Sequence, residues 1–463
     1  MRTLVSESVN KIGETITLKG WINTIREHGK VVFVDLRDRT GIVQVVFWGE
    51  VADKVRGLGI EFVVEISGLV KSRSESTVNP DIETGSIEIE GQKIEVLNAS
   101  KTPPFEINKD TSGVDESLRL KYRYLDLRTE RVNKNIKLRS EFVRRSREFL
   151  FKNDFTEIET PLLTKSTPEG SRDFVVPSRL QPGKFYALPQ SPQQYKQLLM
   201  TAGFERYFQM ARAIRDEDLR ADRGFEHTQV DIEMSFVERD DVMNLVEEMI
   251  INVVEGMGFK IKTKPFPRIT YKESMAKYGA DKFDLRDEED KKNGVLAYAW
   301  VVEFPFFEKT DDGKWTFSHN PFSMPIDEHV DWLLEGKNID QIMTTQYDLI
   351  CNGYESGGGS IRAHKPEILE ATYKVMGYTA DEVQQSVGHM IEAFGLGTPP
   401  HGGIAIGVER SIMNLTNEKY LREVQAFPMT GGGQTSVMDA PSSVADKQLK
   451  ELSLKIDLPH DKK

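Results

Sequence analysis

The sequence predicts an α+β chain of two unlike parts, and two observations carry that prediction. Residues 14–100 read as a succession of short strands punctuated by Gly, Asn, Asp and Pro. Beyond residue 131, strand and helix patterns mix without the regular βαβ alternation of a parallel sheet. A length of 463 residues leaves ample room for a core in each part. With 29% charged and 38% apolar residues, the composition is that of a soluble globular chain.

The first part is predicted strand by strand. VVFVDL at 31–36 is followed by a DRTG turn at 38–41 and by IVQVVF at 42–47. Further strand candidates are 62–70, 87–90 and 93–97. Several short strands in one segment of this length suggest a small barrel, with the oligonucleotide-binding barrel as one candidate, and the pattern also fits a sandwich. Alternation puts Val32 and Val34 on one face and Phe33 on the other, so one face exposes an aromatic ring. TPPF at 102–105 ends this unit, taken as 1–102. Residues 103–130 are polar and basic and read as a connector, and 131–463 form the second unit. A helix is expected at 131–152, with Ile136, Phe142, Val143, Phe149 and Leu150 toward a core. It leads into an alternating strand, FTEIETP at 155–161, stopped by proline. The charged stretch 283–294 reads as a surface loop, and GGG at 357–359 and 431–433 are compositional oddities.

Composition narrows the function. A single cysteine, Cys351, excludes an intrachain disulfide and fits a reducing compartment. The N-terminus MRTLVSES lacks an apolar signal region, and no apolar run reaches membrane-spanning length. A cytoplasmic protein with no membrane partner is expected. A net charge of −12 argues against generic nucleic-acid binding, DNA included. Residues 101–230 nevertheless hold 24 Lys and Arg against 19 Asp and Glu, so a basic surplus sits in mid-chain. A polyanion can be steered there while the acidic remainder limits non-specific binding.

The candidate site rests on RAIRDEDLRADR at 212–223, HTQVDIE at 227–233 and GVER at 407–410. The first and the last place a guanidinium beside carboxylates. Taken alone, one such run is a solvated charged loop. Two arginines from distant parts of a chain suit a triphosphate held at both ends, because an arginine fork grips phosphate oxygens in pairs and does not titrate. Neither a G-x-x-x-x-G-K-[ST] loop nor a strand-linked G-x-G-x-x-G is found.

These segments resemble motifs 2 and 3 of class II aminoacyl-tRNA synthetases. The flanks TPEG (167–170), ALPQSPQ (187–193), NGYESGGGS (352–360) and TPPHGG (398–403) resemble the bacterial-type aspartyl-tRNA synthetase family over nearly the whole chain. The resemblance implies an antiparallel sheet flanked by helices, an anticodon-binding barrel, and a homodimer formed through a motif 1 at the 131–161 helix and strand. It implies attachment of L-aspartate to tRNA through an aspartyl-adenylate, with ATP and Mg²⁺. That reaction needs no general base, since a carboxylate is already nucleophilic at neutral pH. It needs alignment and charge stabilisation, hence arginines and a metal-binding acid pair.

The roles implied are specific. Arg215 bridges the α-phosphate and the substrate carboxylate, and Arg410 takes the γ-phosphate; these are the catalytic pair. Asp216, Glu217, His227, Glu355, Gly407, Val408 and Glu409 complete the ATP site. Asp348 and Glu355 match the metal-binding acids. Lys196 and Arg362 match the clamp for the aspartate side chain, where an amide would leave cations unpaired. Asp231 orients that cluster. Glu169, Ser191, Gln193 and Gln229 lie around the amino acid, and His319 lies on its loop. Arg26, His28, Phe33 and Gln44 match anticodon contacts, and a histidine at 28 resembles members that do not separate tRNA-Asp from tRNA-Asn.

Several positions depart from the pattern. Gly224 stands for Gln, His227 for the stacking Phe, Glu409 for Asp and Asn320 for a second His. The large domain that bacterial members insert is missing where 283–294 runs straight into AWVVEFP at 299–305. The alternatives are an asparaginyl-tRNA synthetase, a tRNA-free asparagine synthetase and an inactive RNA-binding paralogue. The clamp, the barrel and the retained charged residues speak against each in turn.

Overall fold

A computed structural model describes residues 1–166 and 170–458. The chain divides into two compact units, Met1–Arg131 and Val132–Lys463.

The first unit is a closed barrel of β1 (Thr15–His28), β2 (Val31–Asp38), β3 (Gly41–Trp48), β4 (Val63–Ser72) and β5 (Ile87–Asn98), in the order β1-β2-β3-β5-β4. Closure excludes the sandwich. It runs through a short parallel pairing of β3 with β5, while the other pairings are antiparallel. Each strand alternates, so Val32, Val34 and Leu36 are buried and the residues between them face outward. The helix α1 (Gly49–Arg56) adds Ala52 and Val55 to that aliphatic interior. The two strands expected at 87–90 and 93–97 are one. The chain bends through Gly91, opposite Gly68, with a register shift between Ser67 and Gly68. A Cβ at Gly91 would lie 2.2 Å from the Phe47 ring, so glycine here lets the strand cross the barrel corner. The segment 103–130 contains α2 (Glu116–Lys121), with Asp115 as its N-cap, and α3 (Arg123–Asp126). Arg128 ties it to Glu61 at 2.7 Å, and Glu61 also takes Arg37 at 2.8 Å.

The second unit opens with α4 (Glu130–Lys152), which buries Val132, Phe142, Phe149 and Leu150. Ile136 and Val143, expected in the core, are half-buried. The strands that follow are β6 (Thr156–Glu157), the hairpin β7 (Val175–Pro177) and β8 (Phe185–Ala187), then β9 (Arg206–Ile214), β10 (Glu226–Ser235), β11 (Arg268–Thr270) and β12 (Tyr298–Val302). The hairpin β13 (Phe307–Lys309) and β14 (Trp315–Phe317), β15 (Tyr347–Cys351), β16 (Tyr354–Ile361) and β17 (His401–Gly407) complete the set. Eight form one sheet in the order β11-β12-β15-β16-β17-β10-β9-β6. It is antiparallel except at its two edges, where β11 pairs with β12 and β6 with β9 in parallel.

Helices α5 (Gln193–Thr201), α6 (Arg239–Gly256), α7 (Tyr271–Tyr278), α8 (Glu288–Lys292), α9 (Val330–Glu335), α10 (Pro366–Val375), α11 (Ala380–Phe394), α12 (Val408–Thr416) and α13 (Asp446–Glu451) lie between or beyond the strands. The stretch predicted as a surface loop at 283–294 holds α8, capped by Asp287 onto the Asp290 N–H. The sheet's apolar face, with Val230, Ile232, Ile404 and Ile406, packs on α6 and α12. Period-two alternation then sends Gln229, Asp231 and Glu233 of β10 to the opposite face. That face carries the site.

Candidate active site

A cavity of about 350 Å³ opens over β10, β16 and β17. Ser191, Gln193, Lys196, Arg215, Glu217, His227, Gln229, Asp231, His319, Glu355, Arg362, Gly407, Glu409 and Arg410 line it. Residues from six separate stretches of sequence thus meet in one place. A smaller cavity of about 250 Å³ shares Arg223, Gly224 and Leu421 with it, but lacks the clamp and the acids.

Its floor is the glycine run of β16. A Cβ at Gly359 would lie 2.1 Å from the Gly403 carbonyl oxygen, and one at Gly358 would lie 2.9 Å from Asp348 Oδ1. Without side chains, β16 packs closely against β17 and leaves the space above it open.

At the deep end, Lys196 Nζ lies 2.7 Å from Asp231 Oδ1 and 3.2 Å from Glu233 Oε2. Arg362 donates to Glu233 through Nε at 3.0 Å and Nη2 at 3.3 Å, and through Nη1 to Ser360 Oγ at 2.9 Å. All four charged residues are almost wholly buried. The cations are therefore not bare, as the sequence argument had them: Glu233 lies between both. Burial alone would raise the Glu233 carboxyl, but Arg362 and Lys196 outweigh it and hold it low. Burial raises Asp231, with Lys196 opposing. Gln229 Oε1 and Asp231 Oδ2, side by side on the strand face, are buried acceptors with no hydrogen-bond partner. Together they offer a seat to a donor such as an ammonium.

The hairpin of β9 and β10 carries the next group. Its loop is closed by the Arg215 N–H donating to the Phe225 carbonyl at 2.8 Å. Arg215 Nε donates to the Gln190 carbonyl at 3.1 Å, which aims the rest of the guanidinium into the cavity. Glu217 is held by Arg223 at 3.1 Å and by the Ser171 hydroxyl. Burial, followed by the fields of Arg215 and Arg410, pushes His227 down to about 3, so its ring is neutral and can stack. Arg410 enters from α12. It donates to the Glu355 carbonyl oxygen at 3.1 Å and pairs with Asp222 at 3.2 Å.

Asp348 on β15 stands opposite Gly358 of β16, and the carboxylates of Asp348 and Glu355 converge on the space beside that glycine. Burial and the Glu355 charge push Asp348 up to about 7. Burial would raise Glu355 as well, but Lys282 and Arg410 hold it low. Asp348 Oδ2 is buried with no hydrogen-bond donor, and His319 Nε2 is 3.7 Å from it. A buried carboxylate oxygen left without a partner beside a second carboxylate fits a hard divalent cation.

Not every expected residue lies here. Asp216 turns to Arg172 at 3.4 Å and does not line the cavity. Val408 is buried in the core. Glu409 does line the cavity, but its carboxylate accepts from the Thr228 N–H at 3.0 Å and pairs with Arg139 at 2.8 Å, so it braces α12 against β10. Glu169 lies outside the described residues. On the barrel, Arg26 stands opposite Phe33, and Asp35 opposite Gln44. Arg26 grips Asp35 through two contacts at 2.9 and 3.0 Å and touches Gln44 at 3.3 Å. Phe33 faces outward, and His28 meets it edge-on with ring centroids 6.3 Å apart.

Sequence reasoning missed Glu233, Asp281 and Lys282. Glu233 had a usable signal, since it continues the spacing of Gln229 and Asp231 on one strand face. Lys282 Nζ reaches Glu355 at 3.1 Å from the position directly before the 283–294 stretch.

Comparison with known proteins agrees with this geometry. Residues 115–431 match the model of class II tRNA synthetases (D, K and N), and residues 16–97 that of the OB-fold nucleic acid binding domain. The aspartate–tRNA(Asp/Asn) ligase of Heliobacterium modesticaldum is 38% identical over 97% of this chain and 95% of its own length. The aspartate–tRNA ligase of Staphylococcus aureus is 39% identical, with 98% of each chain covered. These alignments span 579 and 582 positions, more than a hundred beyond this chain's 463, so the relatives carry residues with no counterpart here. Two solved structures share the fold. The asparaginyl-tRNA synthetase of Pyrococcus horikoshii, complexed with asparaginyl-adenylate, has a TM-score of 0.75 at 23% identity, covering 93% of this chain and 98% of its own. The aspartyl-tRNA synthetase of Entamoeba histolytica has a TM-score of 0.73 at 22% identity, covering 92% and 91%. By its full-length relatives and by the family model spanning its catalytic unit, the chain belongs to the class II tRNA synthetases (D, K and N).

Proposed function

We propose that this chain is an aspartate–tRNA ligase that activates L-aspartate with ATP and transfers it to tRNA. The observation that carries the reading is the charge count at the deep end of the cavity. An α-ammonium on Asp231 and Gln229 would satisfy their free acceptors and neutralise Asp231. Lys196 and Arg362 are then left with Glu233 alone between two cations. A side-chain carboxylate supplies the missing negative charge, whereas an amide leaves a buried positive charge uncompensated, which is costly.

Arg215, at the cavity's middle, takes the α-carboxylate beside the α-phosphate. A carboxylate oxygen then attacks the α-phosphorus in line and pyrophosphate leaves. Arg410, whose Nη1 lies 3.9 Å from Glu355 Oε2, receives the γ-phosphate charge. His227 offers its neutral ring to adenine. Ser191, Gln193 and His319 line the amino-acid end, and Glu217, Glu355 and Gly407 the nucleotide end. Asp348 and Glu355 would hold Mg²⁺, which draws charge from the phosphate oxygens when bound. The tRNA 3′-terminal hydroxyl would then take the aspartyl group from the adenylate.

The working division is a barrel (1–102), a connector (103–130) and a catalytic unit (131–463). Arg26, His28, Phe33 and Gln44 form an anticodon face, where outward Phe33 can stack on an unpaired base. The product range includes both tRNA-Asp and tRNA-Asn, because His28 sits exposed beside that ring and its imidazole can donate or accept. A homodimer is supported by apolar exposure near the β6 edge: Phe151, Leu162, Leu163, Phe204 and Phe236 are each about half exposed or more. A cytoplasmic location is supported by the single buried thiol, and no helix among the described residues is long and apolar enough to cross a membrane.

Pyrophosphate exchange into ATP, driven by aspartate or by asparagine, tests the reading. Aspartate alone should support exchange. Arg362→Ala should lower aspartate-dependent exchange by about 2–5 kcal/mol of transition-state stabilisation and leave ATP binding nearly unchanged. Exchange driven equally by asparagine would overturn the assignment.

A further inference from the structure

Lys282 and Asp281 are charged groups beside Glu355 and Asp348 that the mechanism above does not use. Their backbone is pinned from both sides. Phe283 is buried and stacks on Tyr278 with ring centroids 4.1 Å apart, and Asp284 accepts from the Arg286 N–H at 2.9 Å. Asp284 also lies against the turn at Gly353, where a Cβ would come within 3.9 Å of it. The segment is thus docked beside the strands that carry Asp348 and Glu355.

From there Lys282 Nζ reaches Glu355 Oε2 at 3.1 Å and lies 4.0 Å from Asp281 Oδ2. Asp281, His319 and Asp348 each offer one ligand atom, all within 4.8 Å of one another. Asp348 is 2% exposed and its Oδ2 has no donor, so a buried acceptor already points into this group. The ammonium is half exposed on a flexible stem, and it is a point charge without the fixed fork of an arginine. It can leave Glu355 without unpacking anything.

We infer that Lys282 is an exchangeable counter-cation of the divalent-ion site, which a divalent ion displaces from Glu355, and that Asp281 is that ion's third carboxylate. The inference rests on the metal reading of Asp348 and Glu355. An ammonium and a dication cannot share the same carboxylate oxygens at close range, so the two compete. Lys282 keeps the acids from facing each other uncompensated while the site awaits its ion.

Mn²⁺ titration followed by electron paramagnetic resonance on the full chain, without nucleotide, tests this apart from activity. Lys282→Met should bind Mn²⁺ about tenfold more tightly than the parent, because a competing charge is removed. Lys282→Arg keeps the charge and should stay near the parent. Asp281→Asn should weaken binding about tenfold. Glu355→Gln and Asp348→Asn serve as references and should weaken it most. If the reference variants lose Mn²⁺ while Lys282→Met binds no more tightly than the parent, the exchange is overturned and the metal reading stands. Unchanged binding in Asp281→Asn overturns the third ligand. If no variant alters binding, or none of the proteins binds Mn²⁺, the metal reading falls and takes this inference with it.

Discussion

The two units solve recognition in opposite ways. The barrel keeps the charges of its candidate contact face outside, although Asp38 and Glu61 elsewhere in it are buried. Its interior is Val, Ile and Leu with Phe47, and Arg26, His28, Phe33 and Gln44 stand on the outer strand face. The catalytic unit puts charges within: Lys196, Asp231, Glu233, Asp348 and Arg362 are each 3% exposed or less. A face that reads a flexible single strand can work in water, because stacking and edge contacts survive there. A pocket that tells a carboxylate from an amide needs low dielectric, since only there does one uncompensated charge cost enough to reject a ligand. The price is that the pocket depends on buried ion pairs, whereas the barrel's outer face rests on the half-exposed pair of Arg26 with Asp35.

Removing one carboxylate from each unit probes that difference most strongly. Glu233→Ala strips Arg362 of its carboxylate in the interior, leaves Lys196 with Asp231 alone, and should destabilise the catalytic unit by about 3–5 kcal/mol in urea unfolding. Asp35→Ala in the barrel breaks the half-exposed pair with Arg26 and should cost under about 1 kcal/mol. Equal losses would mean that burial of the pocket's charges does not set their importance.

Acid sharpens the contrast. His401, fully buried in the catalytic unit, is pushed down to about 4 by burial, although Glu233 opposes. Its folded value is depressed below the unfolded one. The stability it contributes is present above about pH 6.5 and is lost as pH falls toward 4, to the extent of about 3 kcal/mol. Unfolding of the full chain followed at several pH values should show the catalytic transition weakening in that window. His401→Asn should flatten the dependence.

On the barrel, Phe33→Ala should weaken tRNA binding by about 1–3 kcal/mol and leave aspartate-dependent pyrophosphate exchange untouched. A fall in exchange would show that the ring serves the fold. The smallest expected effect is that of His28→Leu. The parent should charge both tRNA-Asp and tRNA-Asn, and the variant should shift the ratio toward tRNA-Asp by a few-fold, on the order of 1 kcal/mol. A parent that charges tRNA-Asp alone, with an unaltered variant, removes the dual range and leaves the ligase reading intact.

The pattern of what could be read from sequence follows from range. Strand alternation set the barrel's inside and outside correctly at Val32, Phe33 and Val34, because period two is local. Arg215, Lys196 and Arg410 could be singled out because each sits in a short segment with distinctive neighbours. Glu233 lay in a quoted segment but was passed over, because its importance comes from Arg362, 129 residues away, on another strand. Lys282 had no local signal at all. Its partner Glu355 lies beyond an intervening hairpin and several helices. The split of β5 at Gly91 was a misreading of a bend as an end: a glycine inside a strand marks a corner as readily as a terminus. The short helix α8 was invisible to periodicity, being fixed by its Asp287 cap and not by an apolar stripe.

The side-chain-free strand under the cavity has a consequence for anyone who would re-engineer this protein. At Gly359 even a methyl group meets a backbone carbonyl at 2.1 Å, and at Gly358 it crowds the buried Asp348 carboxylate at 2.9 Å. A saturation library would therefore show adjacent positions that accept nothing, although neither touches a ligand with a side chain. Such positions are blank to any scan that scores hydrophobicity or charge. Attempts to reshape the amino-acid pocket should begin on β10 or α5, where there are side chains to exchange, and treat this strand as fixed ground.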